Sequence, residues 1–305
     1  ALESIANQLP SRKYDIICAG RLTAAVLLDS LCQAGLVHTD VKIVDLDDIM
    51  SRVRMRRLED RGYRMGPNRR VLEIVDERII RRAESYIANS WNAASVCSDQ
   101  DVATMRGMAP DGNIIKVPNV INRAALPVPQ GNGSNFLFVG AFSHEPNLRG
   151  LERFLDEAWP IVRAERPDLT LTVVGMAPPP ALISRLASLG IALHANVPSV
   201  VPFYEACDAV ISPIFLGGGT RIKLLEAMAL GRPIVTTSLG AEGLDLVAGK
   251  HAAIVDDMTA FAHEMVRLSH NPSERTRLVE NARAFQQECY GPVALERQID
   301  VMIDS

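Results

Sequence analysis

Residues Pro213–Gly243 read PIFLGGGTRIKLLEAMALGRPIVTTSLGAEG, and this stretch decides the fold. An apolar run, Ala209–Pro213 (AVISP), leads into Gly217, Gly218 and Gly219. Thr220 follows, and then a segment whose apolar positions Ile222, Leu225, Met228 and Ala229 keep helical spacing. Strand, glycine turn and helix in that order form the unit of a parallel α/β sheet. Glycine lets a ligand approach the backbone closely, and the open amides of a helix start favour anions. The stretch therefore predicts a phosphate cradle at the C-terminal end of a strand, where open α/β sheets bind their ligands. The plain alternative, a flexible loop, fits poorly between a buried strand and a buried helix. Thr220 is the expected N-cap.

Lys223 and Glu226 stand three apart and share one face of that helix, so an ammonium and a carboxylate look into the space beside the glycines. The plainer reading is a surface salt bridge worth a few tenths of a kcal/mol. At roughly 100° per residue Arg221 points about 160° away from Lys223, and it reaches the same site only if the first turn is irregular.

Outward from this segment, apolar runs alternate with helical patterns almost from end to end. Six strands are expected in the second half: Phe136–Gly140, Leu169–Gly175, Ile191–His194, Ala209–Ser212, Pro233–Thr237 and Ala253–Val255. That is a complete doubly wound sheet. The first half offers four: Tyr14–Ala19, Val41–Leu46, Tyr86–Ala88 and Ile114–Val117, after a helical opening at Ala1–Pro10. The expected organisation is an incomplete N-terminal domain over 1–125, a complete domain over 126–290, and a last helix within 291–305, Val293–Ile303, that crosses back to the N-terminal domain. The turn-rich stretch Leu126–Asn135 is the expected linker.

Composition excludes several classes. With 305 residues, two domains are the prior, and 48% hydrophobic residues argue against disorder. Five spread cysteines give neither a disulfide framework nor zinc spacing, so a reducing cytoplasm and no structural metal are expected. The apolar stretch Leu22–Val37 is too short and too polar to span a bilayer, and no secretory signal is visible. No GxGxxG follows a strand and no P-loop is present, which argues against NAD and P-loop chemistry.

Charge is unevenly placed. Between Ser51 and Arg70 stand eight arginines (52, 54, 56, 57, 61, 64, 69, 70) against Glu59 and Asp60. This segment carries +6 in a chain of net −4. It is either a solvent-facing connection with scattered surface pairs or an anion-facing patch, so peripheral membrane contact through Arg52–Arg70 is an expectation. Nucleic acid is not expected as a partner, because Tyr63 is the sole aromatic there.

FLFVG at Phe136–Gly140, LTVVG at Leu171–Gly175, HANVPSVVPFYEACDAVISP at His194–Pro213, then GGGTRIKLLEAMALGRPIVTT and GAEGL together resemble the C-terminal domain of glycosyltransferase family 4 (group 1 glycosyltransferases), as does PNVIN at Pro118–Asn122. The resemblance runs over roughly residues 113–290. It implies an α/β GT-B fold of two Rossmann-like domains facing across a cleft. It also implies retaining, metal-independent transfer from a nucleotide sugar, UDP- or GDP-linked, to a polysaccharide or lipid-linked acceptor at the inner face of the membrane, with no further cofactor. Carried over by position, Glu226 would hold the ribose hydroxyls, and Lys223 and Arg221 would neutralise the leaving diphosphate. Gly140, Gly217, Gly218, Gly219 and Thr220 would line the donor, and Val197 would lie beside the base.

The departures are equally specific. The family's first glutamate falls at Gly218, and the arginine and lysine of the loop after Gly140 are replaced by Ala141 and Asn147, which leaves Arg149 as an outside cation. His144 in this loop reads as a capping or packing residue. Asp45-Leu46-Asp47-Asp48 ends a strand. An Asp-x-Asp is a manganese motif in the other major glycosyltransferase fold, but a helix-start cluster is the simpler reading, and Asp47 or Asp48 would face the acceptor. Alternatives are an inactive nucleotide-sugar-binding subunit, motivated by Gly218, Ala141 and Asn147, and a GT-B nucleotide-sugar epimerase.

Overall fold

The computed structural model describes residues 2–60, 65–129 and 131–297. Two compact units emerge. Among the described residues, one holds residues up to Pro118 with Gly217–Thr220, and the other holds Asn119–Leu216 with Arg221–Arg297. Each is a Rossmann-like α/β unit with a parallel sheet.

The first unit carries β1 (Ile16–Gly20), β2 (Val41–Asp45), β3 (Ala93–Val96) and β4 (Ile114–Lys116), all parallel and in the order β1-β2-β3-β4. Three of the four expected strands are present; Tyr86–Ala88 is not one of them. It lies in the long helix Pro67–Ser90, and the strand is Ala93–Val96. A three-residue apolar run inside a helix has no period of its own to distinguish it from a strand. The helical opening is Leu2–Ala6.

The second unit carries β5 (Asn135–Val139), β6 (Thr170–Gly175), β7 (Ala192–Ala195), β8 (Ala209–Ser212), β9 (Ile234–Thr236) and β10 (Ala253–Ile254) in the order β10-β9-β8-β5-β6-β7. All six expected strands appear; the inner ones are continuous apolar runs because helices cover both their faces, while the edge strand β7 is largely exposed. From β5 the chain winds outward through β6 and β7, then returns to β5's other side and winds out through β8, β9 and β10. The reversal lies between β5 and β8, so the loops after these two strands, 140–144 and 213–221, meet at the switch point of the sheet.

Residues 119–134 lie along the second unit. Buried Arg275 donates to the carbonyls of Leu268, Ser269 and Gly131, and buried Arg232 donates to the Pro127 carbonyl at 3.0 Å. The expected linker is thus fastened by guanidinium groups, and the boundary between the units falls at Pro118/Asn119. Of the expected last helix, residues 292–297 are helical and the remainder lies outside the described residues, as do Arg61, Tyr63 and Arg64.

Candidate functional site

Helix Ile222–Ala229 follows β8 and the glycine loop, with Leu224, Leu225, Ala227, Met228 and Ala229 buried. Its N-cap is Arg221, in extended backbone and without a side-chain cap, so Thr220 stands outside the helix and does not cap it. Because Arg221 precedes the first turn, the 160° separation expected from helix geometry does not apply. Arg221 is buried, donates to the Leu216 carbonyl at 3.4 Å, and lies near enough to Lys223 to lower its pKa.

Lys223 turns its ammonium inward. Nζ donates to Asn147 Oδ1 at 2.6 Å and lies 4.9 Å from the centre of the Phe138 ring. Burial first, and the Arg221 guanidinium second, bring its pKa down to about 7. Asn147 is itself buried at the start of helix Glu145–Glu157, and its Nδ2 donates to the Ala141 carbonyl at 2.9 Å. Gly140 makes room for it, since a Cβ there would lie 2.8 Å from Asn147 Cγ. The Gly140 amide continues the sheet by donating to the Val174 carbonyl. Lys223, Asn147 and the Ala141 carbonyl thus form one polar chain at the switch point.

Glu226 lies one turn further along and does not pair with Lys223. It faces Arg123, with Nη2 3.8 Å from Oε1, and burial raises its pKa while Arg123 opposes the rise. Tyr204, fully buried, donates from its hydroxyl to the Lys223 carbonyl at 3.2 Å. Val197 is half-buried and packs into the cluster that holds Tyr204, Leu224 and Leu225. Asn147 and Arg123 were not identified from sequence as site residues. Asn147 entered as a departure from a lysine, and Arg123 follows PNVIN by one position, which is its only sequence signal.

The glycine loop groups with the first unit. Gly217 and Gly219 have φ of 105° and 70°, in the left-handed region that favours glycine. Arg56 Nη1 donates to the Gly217 carbonyl at 2.6 Å, and a Cβ on Gly219 would run into the Asp48 carboxylate. A Cβ on Gly218 would lie 2.9 Å from Val53 Cγ2. Among the other arginines expected to face an anion, Arg52 pairs with Asp101 at 3.2 Å, Arg54 with Glu73 at 2.8 Å and Asp76 at 3.3 Å, and Arg57 with Glu73 at 3.9 Å.

Asp47, after β2, has φ 54°; its carboxylate accepts from Cys97 Sγ at 3.4 Å and stands 3.6 Å from Arg21. Arg21 also has positive φ, 72°, so two non-glycine residues hold strained backbone side by side at the C-terminal ends of β1 and β2. Asp45 accepts from Ser95 Oγ at 2.9 Å. His144 takes the N-cap position of helix Glu145–Glu157 without a side-chain cap, and Arg149 pairs with Glu145 at 2.9 Å. Among the described residues no helix is long and apolar enough to cross a membrane.

The profile of the family described as "Glycosyl transferases group 1" matches residues 133–271. An uncharacterised 44.6 kDa protein from the cps region of Klebsiella pneumoniae is 32% identical over 166 residues, 51% of this chain and 42% of that protein. The lipopolysaccharide core biosynthesis mannosyltransferase LpsB of Rhizobium meliloti is 26% identical over 234 residues, 69% of this chain and 64% of that protein. The chain thus spans between two fifths and two thirds of the length of these relatives. Among solved structures, TarM superposes with a TM-score of 0.75 at 13% identity, over 100% of this chain and 58% of that one. Anabaena HepE, in complex with UDP and glucose, gives 0.72 at 15%, over 100% of this chain and 80% of that one. At these identities the structural likeness shows the fold.

Proposed function

We propose that the chain is a group 1 glycosyl transferase, in keeping with the family match over residues 133–271 and with Rossmann-like units of the GT-B type, and that it moves a sugar from a nucleotide diphosphate sugar to a glycan or lipid-linked acceptor with retention of configuration. The observation that carries the reading is the convergence of Lys223 and Arg221 at the sheet's switch point, with Glu226 one turn away. In this reading the donor diphosphate meets the two cations, and the ribose hydroxyls donate to the Glu226 carboxylate. Arg123, half exposed, is the group that the ribose hydroxyls displace or supplement at Glu226.

The sugar's C1–O bond to the diphosphate breaks and a C1–O bond to the acceptor oxygen forms on the same face. The acceptor's proton passes to the leaving phosphate oxygen. Charge grows on the diphosphate as it leaves, and the Arg221 and Lys223 cations stabilise it in surroundings that are already desolvated. We assign this neutralisation to the two cations without a metal. Asp47, held in strained backbone, is assigned to the acceptor.

The test is a thermal-shift panel of UDP, GDP, ADP and CMP with their sugar conjugates, on wild type and Glu226→Ala. A ligand at a hundredfold excess over its Kd stabilises the folded state by about 2.7 kcal/mol, which shifts Tm by several degrees. A shift with one base, lost in Glu226→Ala, supports the donor site. No shift with any nucleotide refutes it. Glycine at position 218 favours a second reading, an inactive nucleotide-sugar-binding subunit, for which the outcome is a shift without turnover.

A further inference from the structure

Helix Pro67–Ser90 runs 24 residues, and only one side of it is covered: Glu73, Glu84, Ile87 and Ala88 are buried. On its other side Val71, Leu72, Val75 and Ile79 are 59%, 63%, 45% and 59% exposed. At about 100° per residue these four fall within an arc of roughly 100°, a stripe broader than scattered surface aliphatics require. Arg78 falls on its margin, Arg82 falls within its arc just past Ile79, and Arg70 precedes it in the first turn. All three are exposed, and none of their side chains makes a hydrogen bond or ion pair among the described residues. Beside the C-terminal half of the helix, a cavity of about 370 Å3 is lined by Arg81, Arg82, Ser85, Tyr86, Gly107 and Met108.

The arginines of the preceding helix, Met50–Glu59, differ in this respect. Arg52, Arg54 and Arg57 are spent on Asp101, Glu73 and Asp76 within the same unit. The cationic surface that the sequence placed at Arg52–Arg70 therefore extends beyond that range, to Arg78 and Arg82, where it adjoins exposed aliphatics.

We propose that this face of helix Pro67–Ser90 docks on a membrane containing anionic phospholipid. Val71, Leu72, Val75 and Ile79 enter the boundary between headgroups and acyl chains, and Arg70, Arg78 and Arg82 meet lipid phosphates. The arginine-lined cavity takes one headgroup. An amphipathic helix with basic margins binds such an interface by apolar burial plus electrostatic attraction. Charge selects this occupant over a second copy of the chain, because the residues of this face include three arginines and no carboxylate that the same face of a copy could offer them. The positive face is also local, in a chain of net charge −4. The proposal stands apart from the glycosyl-transfer reading and does not rest on it.

The experiment is co-sedimentation of the full chain with vesicles of phosphatidylcholine alone or mixed with phosphatidylglycerol. Wild type should bind the mixed vesicles only, and less at higher salt. Leu72→Glu combined with Ile79→Glu should lose at least tenfold in affinity. Arg78→Gln with Arg82→Gln should lose roughly thirtyfold, each basic residue near an anionic surface being worth about fivefold. These positions are exposed, so the variants should melt like wild type, and Arg153→Gln in the second unit should bind unchanged. Absence of binding to the mixed vesicles, or unaltered binding in both double variants, overturns the proposal. A concentration-dependent dimer in sedimentation velocity that Ile79→Glu dissolves also overturns it, by assigning the stripe to a second copy.

Discussion

Binding of a nucleoside diphosphate should weaken steeply as the pH rises above 7. Lys223 is the reason: in the free protein its pKa is brought from 10.5 down to about 7, first by burial and then by Arg221. A diphosphate beside the ammonium favours the charged form and returns the pKa toward its ordinary value. With a free-state pKa of about 7, roughly half of the molecules carry the charge at pH 7 and about one in a hundred at pH 9. The ligand's terminal phosphate, with a second pKa of about 6, is already ionised across this window. The apparent Kd should therefore rise about fiftyfold between pH 7 and 9, or about 2.3 kcal/mol. Isothermal titration calorimetry in buffers of different ionisation enthalpy reads both the affinity and the proton uptake. Lys223→Met should bind weakly at pH 7 and show little slope above it. Lys223→Arg, charged throughout, should also be flat. Arg221→Met removes the neighbouring positive charge, so the slope should move to higher pH. The same shift makes the ligand-free protein more stable as pH rises from about 7 to 10.5, because over that window the unfolded chain holds a proton that the folded one has lost. A wild-type affinity that stays level from pH 7 to 9, or an equal slope in Lys223→Met, would refute the reasoning.

Three further outcomes are expected. Asn147→Ala removes the acceptor of Lys223 Nζ and the donor to the Ala141 carbonyl, both in a buried setting, and should cost about 1–3 kcal/mol in denaturant unfolding. Gly150→Ala places a Cβ 2.0 Å from the Pro213 carbonyl oxygen; the obstacle is backbone, so the loss should reach or exceed the roughly 1–3 kcal/mol of ordinary overpacking. Arg275→Ala strips the Leu268, Ser269 and Gly131 carbonyls of their donor and should cost about 3 kcal/mol or more by calorimetry, with faster proteolysis near Gly131 as the local readout.

The six strands of the second unit could be read from sequence to within a residue or two because each is a short apolar run bounded by turn signals. The first unit was less legible. Its third strand, Ala93–Val96, is built of small residues (AASV), while the more apolar Tyr86–Ala88 belongs to a helix. Burial by neighbours, not strand propensity, made the choice. The N-cap shifted from Thr220 to Arg221 for a related reason, because the chain leaves the glycine loop in extended form and the helix begins one residue later.

The sequence by itself determined the chemistry of the switch-point loop: glycines, Arg221, Lys223 and Glu226 lie within ten residues, and local spacing suffices to put them on one turn and one helix. Only the tertiary structure decided what those groups face. Asn147 reaches Lys223 from 76 residues away, Phe138 supplies the ring beside it, and Arg123 meets Glu226 from the segment after the first unit. A pKa depends on which atoms exclude water and which charges lie within a few ångströms, and strand order in the second sheet brings those atoms together. The same holds for the cationic surface: counting arginines located the charge near residues 52–70, but pairing with Asp101, Glu73 and Asp76 consumed much of it, and packing of helix Pro67–Ser90 left the neighbouring aliphatics and arginines in solvent.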